Sequence, residues 1–211
     1  MRHYDIYLFD WDGTIADSTA IWLRAVRRQF DKLGLHPTNE EIIRRMGDWA
    51  PMTELGMTEE QLEVARQQAR QEALERIADA PLFAGAHEVL VTLKGGGKKL
   101  ALVTSMYREI LEALIEHHNY AGLFDVIVTG TDVSKLKPHP EALLLALQQL
   151  DRQPADKVLM LGDADRDILA AHEAGVDSLL YYPPLHEAFH DLEELKGHNP
   201  TYIIRDWKEM L

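Results

Sequence analysis

From Pro81 onward the chain alternates between helical patterns and short apolar runs, and that alternation limits the fold more than any other feature. A helical pattern at 86–93 precedes an apolar run at 100–103, and the same order recurs at 109–117 with 126–128, 141–150 with 158–161, and 168–174 with 178–181. Successive parallel strands need a crossover, and a helix is the usual one, so this order predicts an α/β fold. The sheet is expected to be mostly parallel, with helices on both faces. A first strand is expected at 4–9, which is apolar, aromatic-rich and ends at Asp10. In such sheets the ligand site lies at the carboxyl ends of the strands.

Between the first strand and Pro81 the pattern is different. Ile21, Trp22, Ala25, Val26, Phe30 and Leu33 recur at helical spacing, and Gly34 closes that helix. Thr38 with Glu41, and Thr58 with Gln61, have the spacing of capping boxes, the second opening a polar helix from 59 to about 78. No strand is expected in this stretch. Residues 1–16 and 83–211 are therefore read as one core domain, and 17–82 as an all-helical domain inserted after its first strand. A length of 211 residues suits a single core carrying an insertion.

Composition excludes several functions. The net charge of −13 leaves too few cations for a broad polyanion surface, so nucleic acid is not an expected partner. No apolar run is long enough to cross a membrane, and no membrane partner is expected. Cysteine is absent, which excludes disulfides and thiolate chemistry. The N-terminal residues lack a signal-peptide pattern, and the expected location is cytoplasmic. The oligomeric state is not readable.

The residues behind the predicted strands carry chemistry. Asp10, Asp12 and Thr14 follow the first, Thr104 and Ser105 the second, Lys135 and Lys137 come soon after the third, and Gly162, Asp163, Asp165 and Asp167 follow or end the fourth. Asp10, Asp12, Asp163 and Asp167 set four negative charges against one positive charge from Lys137, leaving about −3. A phosphate dianion would be repelled by that rim. One divalent cation and a proton on Asp12 bring it near neutrality. The available ligands are hard oxygens, which favours Mg2+ over zinc.

Phe-Asp10-Trp-Asp12-Gly13-Thr14, Val-Thr104-Ser105, Lys137-Pro-His-Pro-Glu and Gly-Asp163-Ala-Asp-Arg-Asp167 resemble the four ordered motifs of the haloacid dehalogenase-like hydrolases. The resemblance spans the chain and is nearest to the phosphoglycolate phosphatase and β-phosphoglucomutase group. It implies a Rossmann-like core with a helical cap at 17–82. It also implies a Mg2+-dependent phosphatase acting on a small phosphate ester, phosphoglycolate-like or a sugar phosphate, through an aspartyl-phosphate. Asp10 would be the nucleophile and a metal ligand. Asp12 would be general acid and base, with its carbonyl on the metal. Thr104 would hydrogen-bond the phosphoryl group, Lys137 would neutralise charge, Asp163 would bind the metal and Asp167 would support it. Gly13, Thr14 and Ser105 would line the substrate site, with turn amides holding phosphoryl oxygens. Where relatives often carry a lysine two residues beyond Thr104, this chain has Met106, and Arg108 is a candidate replacement. Ala164 follows Asp163 where some relatives carry a second acid.

Other features have plainer readings. Gly95-Gly96-Gly97-Lys98 precedes a strand and lacks the spacing of a phosphate loop, so it reads as a turn. His186 and His190 are spaced like ligands but lack a third partner, and read as a solvated helix face. Lys135 reads as solvated surface, and Asp165 as a helix N-cap. Trp49, in the loop 47–50, either stacks on a leaving group or packs between helices. Two rivals share the motifs: a β-phosphoglucomutase-like sugar phosphomutase, and a non-catalytic binding protein on the same fold. A dehalogenase does not need the acid/base group that Asp12 supplies.

Overall fold

A computed structural model describes residues 3–45, 50–188 and 190–211. The chain forms two compact units, Met1–Asp17 with Leu82–Leu211, and Ser18–Pro81.

The first unit is built on six parallel strands in the order β3-β2-β1-β4-β5-β6. These are β1 (Ile6–Phe9), β2 (Lys99–Val103), β3 (Val126–Val128), β4 (Val158–Gly162), β5 (Asp177–Tyr181) and β6 (Tyr202–Ile204). Residues of β1 alternate between the two faces, as strand geometry requires. Ile6 and Leu8 join a core with Ala101, Val103 and Met160, covered by α6 (Glu141–Gln149) through Leu143 and Leu147 and by α7 (Asp165–Glu173) through Ala170. Phe9, on the opposite face, stacks on Trp207 at a centroid distance of 5.9 Å. Trp207 belongs to a short C-terminal turn that packs with α4 (Ala86–Gly95). The sheet is thus covered on both faces, as the alternation predicted.

Register decides where the strands end. Phe9 lies level with Leu102 of β2 and Leu161 of β4, so Asp10, Val103 and Gly162 share a row. The chain leaves β1 for β2 on one side and reaches β4 on the other. Such a reversal opens a crevice beyond the carboxyl ends, here between β1 and β4.

Three sequence expectations need correction. The strand β6 had no expected counterpart, because Tyr202-Ile203-Ile204 is too short to show a period. Asp165 is not the N-cap of α7, which begins at that residue; Asp167 reaches back to accept from the Ala164 amide at 3.2 Å and does the capping. The polar helix α3 (Glu59–Leu74) stops short of 78 and passes into a tighter turn at Ile77–Asp79. The turn at Gly95–Gly97 falls between α4 and β2, as expected.

The second unit is helical throughout its described residues: α1 (Thr19–Lys32), α2 (Asn39–Ile43), α3 and short turns. Both capping boxes form. Thr38 accepts from the Glu41 amide and Thr58 from the Gln61 amide, each at 3.2 Å. α3 packs on α1 through Ala65, Ala69 and Ala73, small residues one turn apart. Gln29 and Lys32 of α1 donate to Glu72 and Gln68 at 3.1 and 2.8 Å alongside that seam. In the first unit, α5 (Arg108–His117) and α8 (Leu192–Gly197) complete the helices.

Candidate active site

The row of strand ends places Asp10 immediately after β1, with its amide bonded to the Leu161 carbonyl at 2.9 Å. The tight turn that follows depends on Gly13. Its φ is +75°, and a methyl there would collide with the Asp163 carboxylate. The turn is closed from within: the Gly13 amide donates to Ala16 O and the Thr14 amide to Trp11 O. Those two amides are therefore committed within the turn. Thr14 instead brings a buried hydroxyl with no partner, and its carbonyl accepts from the Trp207 indole at 3.2 Å.

After β2, the Thr104 hydroxyl accepts from the Met106 amide at 3.2 Å, which leaves its own proton to donate. The Ser105 hydroxyl is buried without a partner. Arg108 does not stand in for the missing lysine. Its guanidinium is held by Asp132 at 2.5 Å and by Glu112 at 3.7 Å.

Lys137 is the centre of the arrangement and is 2% exposed. Its ammonium donates to Val103 O at 3.1 Å and to Asp167 Oδ1 at 2.6 Å, and lies 3.0 Å from Asp10 Oδ1. Three donors meet three acceptors, so the cation is fully paired without water. Burial opposes its charge, but Asp10 and Asp167 outweigh it and raise its pKa. Lys135, by contrast, is exposed, as its reading anticipated.

Asp10, Asp163 and Asp167 are buried, and one oxygen from each lies within 4.8 Å of the others. Asp167 is spent on Lys137 and the Ala164 amide. A side chain at Gly162 would overlap the Asp167 carboxylate, so that glycine lets the acid fold back over β4. Asp163 Oδ1 has no hydrogen-bond partner. Burial holds the pKa of Asp10 above the ordinary carboxylate range against the pull of Lys137. Burial and then the nearby Asp167 raise Asp163 well above it, Arg166 opposing. Three crowded acids with an orphaned oxygen lack positive charge, and a hard divalent cation fits that set. Asp12 is half-buried beside them in the turn.

Sequence reasoning missed Arg166. It is half-buried, and although burial works against its charge, the nearby charges of Asp167, Asp163 and Asp10 raise its pKa. The signal was its place between two motif acids, but a sequence shows only that it is near them along the chain. His186 and His190 are not a solvated face either. His186 is 1% exposed, and His190 Nε2 lies 3.8 Å from Asp163 Oδ2. Trp49 lies outside the described residues, with the rest of the 46–49 segment.

The sequence matches the haloacid dehalogenase-like hydrolase family over residues 7–181. It is 33% identical over 207 residues to a protein of Caldanaerobacter subterraneus subsp. tengcongensis assigned as pyrophosphatase PpaX, covering 97% of this chain and 91% of that protein. It is 31% identical over 181 residues to the phosphoglycolate phosphatase of Aquifex aeolicus, 83% of either chain. A crystal structure of a Bacteroides fragilis protein assigned as a haloacid dehalogenase-like hydrolase matches the fold with a TM-score of 0.88 at 29% identity, covering 99% of this chain and 100% of that one.

Proposed function

The chain belongs to the haloacid dehalogenase-like hydrolases and to their phosphatases, and on that premise we propose that it hydrolyses a small phosphorylated metabolite with Mg2+ through an aspartyl-phosphate on Asp10. The observation that carries this reading is the Lys137 ammonium, buried between Asp10 and Asp167 beside the orphaned oxygen of Asp163.

In this reading Asp10 and Asp163 would hold the cation, with the Asp12 carbonyl, and Asp167 would support them. Bound there, the ion would supply positive charge to phosphoryl oxygens and relieve repulsion with the nucleophile. Asp10 attacks phosphorus while the ester oxygen leaves with a proton from Asp12. Lys137 stays within 3.0 Å of the Asp10 carboxylate and offsets its charge. The Thr104 proton donates to a phosphoryl oxygen, and the hydroxyls of Thr14 and Ser105 have the same capacity. Asp12 then removes a proton from the water that attacks the phospho-Asp10, which releases inorganic phosphate and restores both acids. Two carboxylates divide this work because one is buried on Lys137 and the other half-exposed.

The substrate class is a phosphoglycolate-like ester or a sugar phosphate, and the two relatives above are named as a pyrophosphatase and a phosphoglycolate phosphatase. The inserted helical unit is the proposed cap and the source of selectivity. The test is hydrolysis of an aryl phosphate and of a panel holding those three substrate types, with Mg2+ and with EDTA. Turnover that needs Mg2+ and disappears in Asp10→Asn supports the reading. Turnover that persists in Asp10→Asn removes it.

A further inference from the structure

His190 is held in place more firmly than a surface histidine requires. Its amide donates to His186 O at 2.9 Å, and its carbonyl accepts from the buried Tyr182 hydroxyl at 2.6 Å. Its ring packs edge-on against His186, centroids 5.9 Å apart. His186 is itself wedged among Phe83, Tyr181 and Tyr182. Behind Tyr182 lies the Arg205 guanidinium, which is also paired with Glu187 at 2.8 Å. Two backbone hydrogen bonds and an aromatic wall thus fix one ring, and that ring brings Nε2 to 3.8 Å from Asp163 Oδ2.

The two oxygens of Asp163 differ. Oδ2 sits between Gly13 and His190, while Oδ1 has no partner. A carboxylate in a buried site rotates about its last bond unless one oxygen is held. Packing against Gly13 limits the tilt but offers no hydrogen bond from a side chain. At 3.8 Å the His190 Nε2 is beyond hydrogen-bond distance of Oδ2, and a small rotation of either side chain closes that gap, so the neutral ring with its proton on Nε2 is the donor that would hold Oδ2.

We propose that His190 is a positioning residue: it fixes Asp163 through Oδ2 and so presents Oδ1 to the divalent cation, an assignment that rests on the metal-dependent phosphatase reading above. Histidine acts here behind a carboxylate ligand, the reverse of the carboxylate that commonly orients a ligating histidine. The two imidazoles do not form a metal site of their own. Among the described residues, the one cluster of three close ligand atoms is Asp10, Asp163 and Asp167.

The experiment titrates Mg2+ alone into the full-length protein by calorimetry at constant pH, without substrate. Wild type is compared with His190→Leu, His190→Gln and Asp163→Asn. Leu removes the donor, whereas the Gln amide reaches about as far as Nε2. The expected result is a Mg2+ dissociation constant about tenfold or more higher in His190→Leu, with His190→Gln close to wild type. Unfolding in urea with EDTA, compared across the variants, separates this effect from a loss of fold. Should Leu unseat the segment, His190→Asn, whose amide is too short to reach Oδ2, is expected to weaken Mg2+ binding as Leu would. Equal affinity in wild type and His190→Leu overturns the assignment, and so does a Gln variant as weak as Leu. If Asp163→Asn loses Mg2+ while His190→Leu keeps it, His190 alone is misassigned. If wild type takes up no Mg2+, the metal reading fails and this assignment falls with it.

Discussion

Asp10 and Asp12 are two residues apart, yet they sit in different surroundings, and their proposed tasks follow from that. Asp10 is 4% exposed and paired with Lys137, so its replacement by Asn removes the proposed nucleophile without emptying a cavity. Asp10→Asn is expected to lower kcat by roughly a thousandfold or more with the circular dichroism spectrum unchanged, measured on an aryl phosphate. His186 gives a prediction of a different kind. Burial, and then His190, push its pKa down to about 4. The unfolded chain, with an ordinary imidazole, binds the proton first as pH falls. Stability from this residue is therefore present above about pH 6.5 and is lost as pH falls toward 4, by roughly 3 kcal/mol. His186→Phe is expected to flatten the fall in urea-unfolding free energy over that interval. An unchanged slope would contradict it.

At the scale of the element, caps and turns decide the outcome more than helical propensity does. α3 is polar along most of its length and buries only Ala65, Ala69 and Ala73, so its start depends on Thr58. Thr58→Ala is expected to cost about 1 kcal/mol, read from urea denaturation monitored at 222 nm. The turn after β1 depends on Gly13 for both its backbone angle and the room it leaves Asp163. Gly13→Ala is expected to destabilise the fold by about 1–3 kcal/mol and to weaken Mg2+ binding with it. A variant that keeps wild-type stability would show that the turn relaxes freely. Legibility at this scale was uneven for physical reasons. The capping boxes could be read from spacing because Thr38 and Thr58 act three residues away, on the same helix. The cap of α7 was misread because Asp165 has the right chemistry, whereas Asp167 wins by folding back over Gly162.

For the whole molecule, the crowding of acids links the site to global stability. Asp10 and Asp163 carry pKa values above their ordinary range, so the metal-free folded protein holds protons that the unfolded chain releases above about pH 4. Metal-free stability should therefore fall as pH rises through those raised values. On the proposed reading Mg2+ would compete with the same protons, so its stabilising effect should be larger at pH 8 than at pH 5.5. Thermal melts in EDTA and in Mg2+ at the two pH values test this. Equal Mg2+ shifts at both would mean that the acids are already ionised. The sequence by itself determined the parallel α/β order, the helical insertion and the motif residues at the strand ends, because strand and helix periods and short motifs are local. Only the tertiary structure decided that Lys137 is shared by Asp10 and Asp167 and that His190 stands behind Asp163. Those relations join residues from separate segments, and burial at their meeting point sets each charge, which no spacing along the chain records.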